Sequence, residues 1–395
     1  MASNAKHDWP MVRLGDVCEV VSGGTPKTSV AEYWDGEIPW VTPADLSKLK
    51  GLEVSSGARA ITQKGVDRSS AVLLPAGSVV LSSRAPIGYV AIAQVPMATN
   101  QGCKSFIPSP DIDARYLAHY LLSQKDVLQS LGTGATFKEL SKSRAADIRV
   151  PLPPLDEQRR IAAILDEVQR LTELQESCLT AFDQLIDSLT EAIAELKSES
   201  LGKLGVSFVS GKSLTGNARN AHPVNKILKV SAVSSGTFLA EEAKPLPADY
   251  SPPTSHLVAL GDVLFCRANG SRELIGVTAK VDQELSNYYL PDKLWKLQVE
   301  GDQVLPMFVY RMLRSSRARQ YFMSNASGAA GVKNISKRKV LDLRIPIPSL
   351  DLQHDFIELV QQVEKKRAVE SVRLEKIAEL RNSLVSRGFR DNFGT

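Results

Sequence analysis

The pattern of apolar positions predicts a long helix in the middle of the chain. From Ile161 to Leu196, apolar or small residues alternate three and four positions apart over five heptads, interrupted only at Gln175. This spacing is typical of a coiled-coil seam. Asp156 is placed to cap the first turn, and Gly202 is a natural stop. Five flanking apolar residues widen the stripe, so we expect it to bind a partner as well: Leu165, Leu174, Leu179, Ile186 and Ile193.

A second long helix is predicted near the C-terminus, at about Asp351–Arg387. Its seam begins regularly at Phe356 but is interrupted by polar residues between Lys366 and Arg373. Such an interruption indicates either a partner surface or a stutter in the coiled coil.

The regions that precede the two helices read as mixed α and β. Apolar, β-branched runs bounded by Gly and Pro predict strands at Ala71–Val80, Tyr89–Val95, His256–Phe265 and Leu274–Val281. Apolar residues at helical spacing predict one helix over Asp113–Leu131 and another over Val304–Tyr321.

One phrase occurs twice, 195 residues apart in a chain of 395. The copies are FKELSKSRAADIRVPLPPLDEQ (Phe137–Gln158) and VKNISKRKVLDLRIPIPSLDLQ (Val332–Gln353), and ten of the 22 positions are identical. In each copy the phrase ends a mixed region and opens a long helix. The chain is therefore predicted to be two tandem copies of one plan.

This repeat predicts an α+β fold with four segments. They are a globular α/β domain at 8–154, a long helix at 155–200, a second globular domain at 201–348 and a second long helix at 349–390. If the two apolar stripes bury each other, the helices run antiparallel and separate the globular domains. We therefore expect a dumbbell with approximate two-fold symmetry, whose helical spacer is about 63 Å long at about 1.5 Å per residue.

Composition excludes several classes of protein. The hydrophobic content of 43% fits a globular chain, and no run approaches the length of a membrane span. The four cysteines form no C-x-x-C pair, so we expect neither disulfides nor a metal site, and a cytoplasmic location. No P-loop, nuclease, methyltransferase or histidine-metal pattern is complete, so we predict no catalytic residues, no cofactor and no enzymatic activity.

Charge is unevenly distributed, although the net charge is only +4. Between Arg311 and Arg344 there are nine basic residues and one acid, Asp342. Such a patch is typical of a protein that binds phosphates, and the alternative is a solvated basic helix face.

Loops rich in Gly and small polar residues supply the candidate DNA-binding groups. Arg, Asn and Gln can read base edges, and Lys beside flexible backbone can contact phosphates. As base readers we predict Arg84, Asn100, Gln101, Arg267 and Asn269. The phosphate contacts are expected from Lys138, Lys142, Lys333 and Lys337, which occupy matched positions in the repeat. Thr25, Lys27, Thr136 and Asn334 complete the set. The alternative for each is an ordinary turn with a satisfied side chain.

Five further segments occur together in order: Leu14–Pro26, Trp34–Leu46, Leu74–Ile92, Ala98–Phe106 and Ile148–Leu165, the last of which overlaps the repeated phrase. In these segments the chain resembles the specificity subunits of type I restriction–modification enzymes. The second globular region lacks the G-G-T-P and I-P-W phrases. The resemblance implies two target-recognition domains on a bipartite double-stranded DNA site, two methyltransferase subunits bound to the helices, and motor-nuclease subunits in the restricting complex.

Two other interpretations stay open from sequence. The chain could be a coiled-coil scaffold whose globular domains bind protein or RNA, which the salt dependence of binding would separate from DNA recognition. It could also serve a related restriction system whose methyltransferase and nuclease are fused in one partner.

Overall fold

The computed structural model describes residues 9–84, 86–134, 138–212, 221–247, 250–328 and 331–389, and the backbone alone at 221–223. The chain divides into two compact units. Unit 1 comprises Met1–Glu176 and Val372–Thr395, and unit 2 comprises Ser177–Ser371. Each unit holds one globular region and a part of each long helix. The predicted division into four segments stays a prediction, since the compact units cut across both helices.

The two long helices span Leu155–Ala192 and Leu350–Gly388, with 38 and 39 residues. The first is shorter than predicted. Its chain turns after Ala192, because Ser198–Ser200 is already an edge strand that pairs with Arg344–Pro346. Leu196, predicted as a seam residue, consequently lies outside the helix and is 41% exposed.

The globular region of unit 1 is built on two sheets. The larger has five strands in the order Cys18–Ser22, Cys103–Pro108, Val79–Ser82, Val90–Ala93 and Glu53–Val54. The smaller places Trp34–Val41 between Arg59–Ile61 and Ala98–Thr99. A separate pair joins Met11–Arg13 to Arg149–Pro151, at the end of the repeated phrase.

Unit 2 repeats this topology with one strand fewer. Its larger sheet has the order Val206–Ser210, Leu294–Val299, Val263–Cys266 and Thr278–Lys280. Its smaller sheet places Ala221–Leu228 between Ala243–Pro247 and Tyr288–Tyr289. As in unit 1, the middle strand of the small sheet runs antiparallel to one neighbour and parallel to the other. A short ribbon pairs Ala268–Asn269 with Lys333–Asn334.

Each unit has a broken helix where the sequence predicted a single one. The pairs are Ala114–Ser123 with Lys125–Leu131, and Pro306–Arg314 with Ser316–Asn325. In unit 2 the break has a clear cause, because the Ser315 hydroxyl accepts a hydrogen bond from the Ala318 amide and so begins a new helix. The strands predicted at Ala71–Val80 and His256–Phe265 are also shorter than expected, since Gly77 and Gly261 make left-handed turns inside both runs.

Short helices complete the described parts of the chain. The α-helical ones are Leu14–Val17, Pro43–Leu46, Gln63–Asp67, Lys142–Ala146 and Lys337–Leu341. The 3-10 turns are Ala31–Tyr33, Leu201–Leu204, Val230–Ala232, Thr254–His256 and Arg272–Leu274. Among the described residues, no helix is both long and apolar enough to cross a membrane.

The repeated phrase forms the same buried joint in both units. The Gln158 side chain is fully buried; its oxygen accepts from the Asp113 amide at 2.8 Å, and its amide donates to the carbonyls of Asp111 and Pro153. Gln353 does the same with the Leu305 amide at 2.9 Å and with the carbonyls of Gln303 and Pro348. Each glutamine thus ties the first turn of a long helix to the globular region before it.

Within each unit the two helices run antiparallel and share the core. In unit 1, Ile161 and Leu165 near the start of the first helix share a core with Phe389 just beyond the end of the second. In unit 2, Ile193 packs in the same core as Phe356 and Val360, and Arg367 donates to both carboxylate oxygens of Asp183 at 2.7 and 3.1 Å. Burial of these apolar side chains stabilises the pairing.

Candidate nucleic-acid interface

In unit 1 the structure brings three predicted residues together. The Thr25 hydroxyl donates to the Gln101 side-chain oxygen at 2.5 Å, and the Asn100 side-chain oxygen accepts from the Gly102 amide at 2.9 Å. The backbone at Gly23 approaches this loop so closely that a Cβ atom there would lie 2.0 Å from the Asn100 carbonyl oxygen, so only glycine fits. Lys27 lies just beyond this loop with an exposed side chain.

Arg84 lies beside a carboxylate that the sequence analysis did not single out. Its backbone forms a bridge with Glu139, and its guanidinium lies 3.7 Å from the Glu139 carboxylate. The other oxygen of that carboxylate is 3.4 Å from the ammonium of Lys104, whose side chain is only 6% exposed. One signal pointed to Glu139: it stands inside the repeated phrase where the second copy has Asn334.

The predicted phosphate contacts of unit 1 are on the surface. Lys138 and Lys142 are exposed, and Lys142 is the first residue of a short helix capped by the Ser141 hydroxyl. Thr136 lies outside the described residues. Both lysines are therefore accessible to a phosphate, and their role stays a prediction.

In unit 2, Arg267 is turned toward the protein. Its guanidinium donates to the Asp292 carbonyl at 2.9 Å and lies 5.7 Å from the centre of the Trp295 ring. The Asn269 amide points to the Cys266 sulfur at 3.9 Å, and its side-chain oxygen accepts from the Ser271 amide at 3.4 Å. Both predicted base readers thus already have intramolecular partners.

The lysines of unit 2 also differ from their counterparts. Lys333 donates to the Gly328 carbonyl at 2.9 Å, whereas Lys337 donates to the Phe208 carbonyl at 2.7 Å and lies 5.6 Å from the centre of the Trp295 ring. Asn334 pairs through its backbone with Ala268 and Ser327. The ribbon therefore joins Asn269, Lys333 and Asn334 in one place.

Strand register shows which positions correspond in the two units. Leu81 pairs with Lys104 as Phe265 pairs with Trp295, and Arg84 pairs with Glu139 as Ala268 pairs with Asn334. Arg84 therefore matches Ala268, and Arg267 is one residue earlier. Because side chains alternate along an extended chain, the two predicted arginines point to opposite sides.

The basic stretch from Arg311 to Arg344 is largely bonded within unit 2. Arg314 donates to the carbonyls of Gly236 and Thr278, Arg319 to that of Ile275, and Lys339 to that of Asn325. These contacts fix the side chains but leave their positive charge, since a carbonyl is neutral. The stretch is thus structural as well as electrostatic.

The predicted partner stripe is mostly covered by the protein itself. Leu165 and Ile193 are 3% and 7% exposed in the cores of their own units, and Ile186 packs against the core of unit 2. Leu179 is half-buried, whereas Leu174 is 59% exposed. Most of the stripe therefore contacts the globular regions, and Leu174 is its accessible member.

Metal-ligating groups and cysteines are the last candidates for site chemistry. No group of three metal-ligating side chains occurs among the described residues. Burial raises the pKa of both Cys18 and Cys103 to about 12, so these thiols stay protonated and unreactive near neutral pH.

Sequence and fold comparisons show similarity to the specificity subunits of type I restriction–modification systems. Residues 6–196, just under half of the chain, match the model of the type I restriction modification DNA specificity domain. The crystal structure of the S subunit of a type I system from M. genitalium aligns with 99% of this chain and 98% of that one, with a TM-score of 0.59 and 14% identity, which shows the fold.

Individual relatives carry the same description. The specificity subunit of the type I restriction enzyme MjaIX from Methanocaldococcus jannaschii is 41% identical over 42% of this chain, and that of EcoR124I/EcoR124II from Escherichia coli is 31% identical over 46%. These matches span only 39% and 42% of the two relatives. The EcoKI specificity subunit of Escherichia coli K12 is 23% identical over 92% of this chain and 83% of its own length.

Proposed function

We propose that this chain is the DNA-recognition subunit of a type I restriction–modification complex and is not itself a catalyst. Residues 8–154 and 201–348 are the two target-recognition domains, and each reads one half of a bipartite site in double-stranded DNA. Residues 155–200 and 349–390 are the spacers, to which two methyltransferase subunits bind, together with motor-nuclease subunits in the restricting complex.

The observation that carries the proposal is the comparison of the two globular regions. They share sheet order, strand directions and the glutamine joint, yet they differ at the loop positions where base readers are predicted. A duplicated scaffold with different loops fits two different half-sites on one class of ligand. Exposed lysines flank these loops in unit 1, as phosphate contacts require.

Exchange of one domain tests the assignment. Gly202–Ile345 would be replaced by the corresponding domain of a relative, and the methylated motif of the host would be read by sequencing. One half of the motif should change completely while the other half stays the same. A change in both halves, or in neither, would contradict the assignment of one half-site to each domain.

Salt dependence separates this proposal from a scaffold that binds protein. Binding to duplex DNA should weaken steeply with salt, because phosphate contacts release counterions. Affinity for duplex DNA that hardly changes with salt, or stronger binding to RNA than to duplex DNA, would favour the alternative.

Leu174 is the best test of the proposed methyltransferase surface. Its side chain is the most exposed of the predicted stripe, so Leu174→Asp should weaken methyltransferase binding in a pull-down while the fold is retained. Leu73→Asp is a matched control, since Leu73 is 40% exposed but lies in the globular region. Equal loss in both variants would count against a specific surface on the helix.

A further inference from the structure

Three charged side chains in unit 1 form a connected set that the predicted reading residues only partly include. The Lys104 ammonium lies 3.4 Å from one carboxylate oxygen of Glu139, and the Arg84 guanidinium lies 3.7 Å from the other. The Lys104 side chain is only 6% exposed, whereas those of Glu139 and Arg84 are each 42% exposed. The set therefore leads from the core to the surface, where Arg84 is accessible.

Burial of Lys104 explains why Glu139 is held in place. A buried ammonium is costly unless it is paired. The Lys104 ammonium contacts the Ser83 hydroxyl, the Gln101 carbonyl and the Glu139 carboxylate, and of these only the carboxylate is charged. The Glu139 backbone is also fixed, because its amide and carbonyl both bond to Thr133, at 2.9 and 3.0 Å. The carboxylate thus offers Arg84 a stationary counter-charge.

All three positions change together in unit 2. Lys104 corresponds to Trp295, Arg84 to Ala268 and Glu139 to Asn334. Two nearby positions of the repeat are identical, since Lys138 matches Lys333 and Ser141 matches Ser336. The three residues that contact one another in unit 1 are therefore all absent from unit 2, and the set belongs to what differs between the two units.

We propose that Glu139 and Lys104 are positioning residues that hold Arg84 ready to read a guanine in the half-site of the first recognition domain. This inference rests on the proposed function. An arginine can donate to two acceptors of guanine in the major groove. Glu139 restricts the guanidinium before DNA arrives, which lowers the entropy lost on binding. Lys104 offsets the carboxylate, so the set carries a net positive charge and does not repel phosphates.

The test is selection of a fully randomised duplex library by the full chain, with the methyltransferase subunits of its host present. The wild type is compared with Arg84→Ala, Glu139→Gln, Lys104→Met and the double variant of Arg84 and Glu139. Glu19→Gln is the matched control, because it makes the same chemical change as Glu139→Gln at an exposed carboxylate of unit 1 outside the set. The half-site read by unit 2 reports in every selection whether the molecule is folded.

Arg84→Ala should lower the preference for guanine at one position about tenfold. Glu139→Gln and Lys104→Met should weaken the preference at that same position, although Arg84 is still present, and the double variant should be no worse than Arg84→Ala. Glu19→Gln should leave both half-sites unaltered.

Three results would overturn the inference. Glu139→Gln could leave the guanine preference at that position unaffected. It could instead alter the base preference at a different position, which would mean that Glu139 itself contacts a base. Arg84→Ala could leave every guanine preference intact. A wild type that selects no motif at all contradicts the proposed function itself, and the two failures are thus distinguishable.

Discussion

The two units share one backbone plan but join their globular regions to the long helices with different chemistry. Gln158 and Gln353 make the same three hydrogen bonds. The next polar contact differs: in unit 1 the buried His119 bonds to Asp166 at 2.8 Å, whereas in unit 2 the buried Arg311 bonds to Glu364. Asp113 and Leu305 are equivalent positions, because the amide of each donates to the buried glutamine. His119 and Arg311 follow at the same distance along the chain and therefore occupy the same helix position.

This difference shows that the hydrogen bonds of buried backbone groups and the ion pairs between side chains are constrained separately. The glutamines bond to backbone groups that both units must satisfy, so one residue serves twice. The ion pairs join two side chains, and any complementary pair fits. One of these pairs contains a titratable ring and the other a permanent cation.

The largest effect should come from removing either glutamine. Gln158→Ala or Gln353→Ala leaves buried backbone groups unpaired, and each should lower the free energy of unfolding by about 3 kcal/mol. Urea unfolding of each variant measures this, and Gln361→Ala on the exposed face of the second helix is the control. A clear loss in only one of the two would show that the joints are not equivalent.

A smaller effect should distinguish the two ion pairs by pH. Burial lowers the pKa of His119, although Asp166 opposes this, and the cations Arg115 and Arg381 lower it further. In the unfolded chain the His119 ring has a pKa of about 6.5, so it binds a proton more readily than the folded one does. The stability that His119 contributes is therefore present above about pH 6.5 and lost as the pH falls through its folded pKa.

Hydrogen exchange at neutral and mildly acidic pH would localise this loss. Protection should fall at Ala114–Ser123 in unit 1 and change less at Pro306–Arg314 in unit 2, because the helix of unit 2 contains no histidine. His119→Gln should flatten the pH dependence in unit 1. An unchanged pH dependence in that variant would assign the effect to other groups.

The smallest effect concerns Lys142 and Lys337, which share a repeat position. Lys142 is exposed, so Lys142→Ala should reduce the salt slope of DNA binding by about one without changing base preference. Lys337 already donates to the Phe208 carbonyl, so Lys337→Ala should also lower the thermal stability of unit 2. If both variants changed the salt slope equally and had equal thermal stability, the bond between Lys337 and the Phe208 carbonyl would contribute nothing to the stability of unit 2.

Most of the fold was accessible from periodicity and repetition. The sequence predicted the long helices, the mixed α and β character of the regions that precede them, and the duplication. Each of these features leaves a local pattern in the sequence. The breaks at Gln124 and Ser315 were missed, since one continuous apolar stripe hides a short interruption. The predicted end of the first helix was also wrong, because pairing of Ser198–Ser200 with a distant strand ends it.

The candidate site was less accessible from sequence. Arg84 and Arg267 looked alike as arginines in turn-rich loops, yet the strand register places them on opposite sides of the chain. Lys104 and Glu139 are 35 residues apart, and nothing local marks them as partners. Leu165 and Ile193 belong to the same apolar pattern as Leu174, and only packing separates the buried members from the exposed one.

By itself, the sequence determined the class of fold, the duplication and the residues that both copies need, because spacing and identity are properties of the chain alone. Tertiary structure decided which charged side chains form intramolecular bonds and which remain accessible to a ligand. Hydrogen bonds and ion pairs act over a few ångströms, and residues far apart in sequence come within that distance only once the chain is folded.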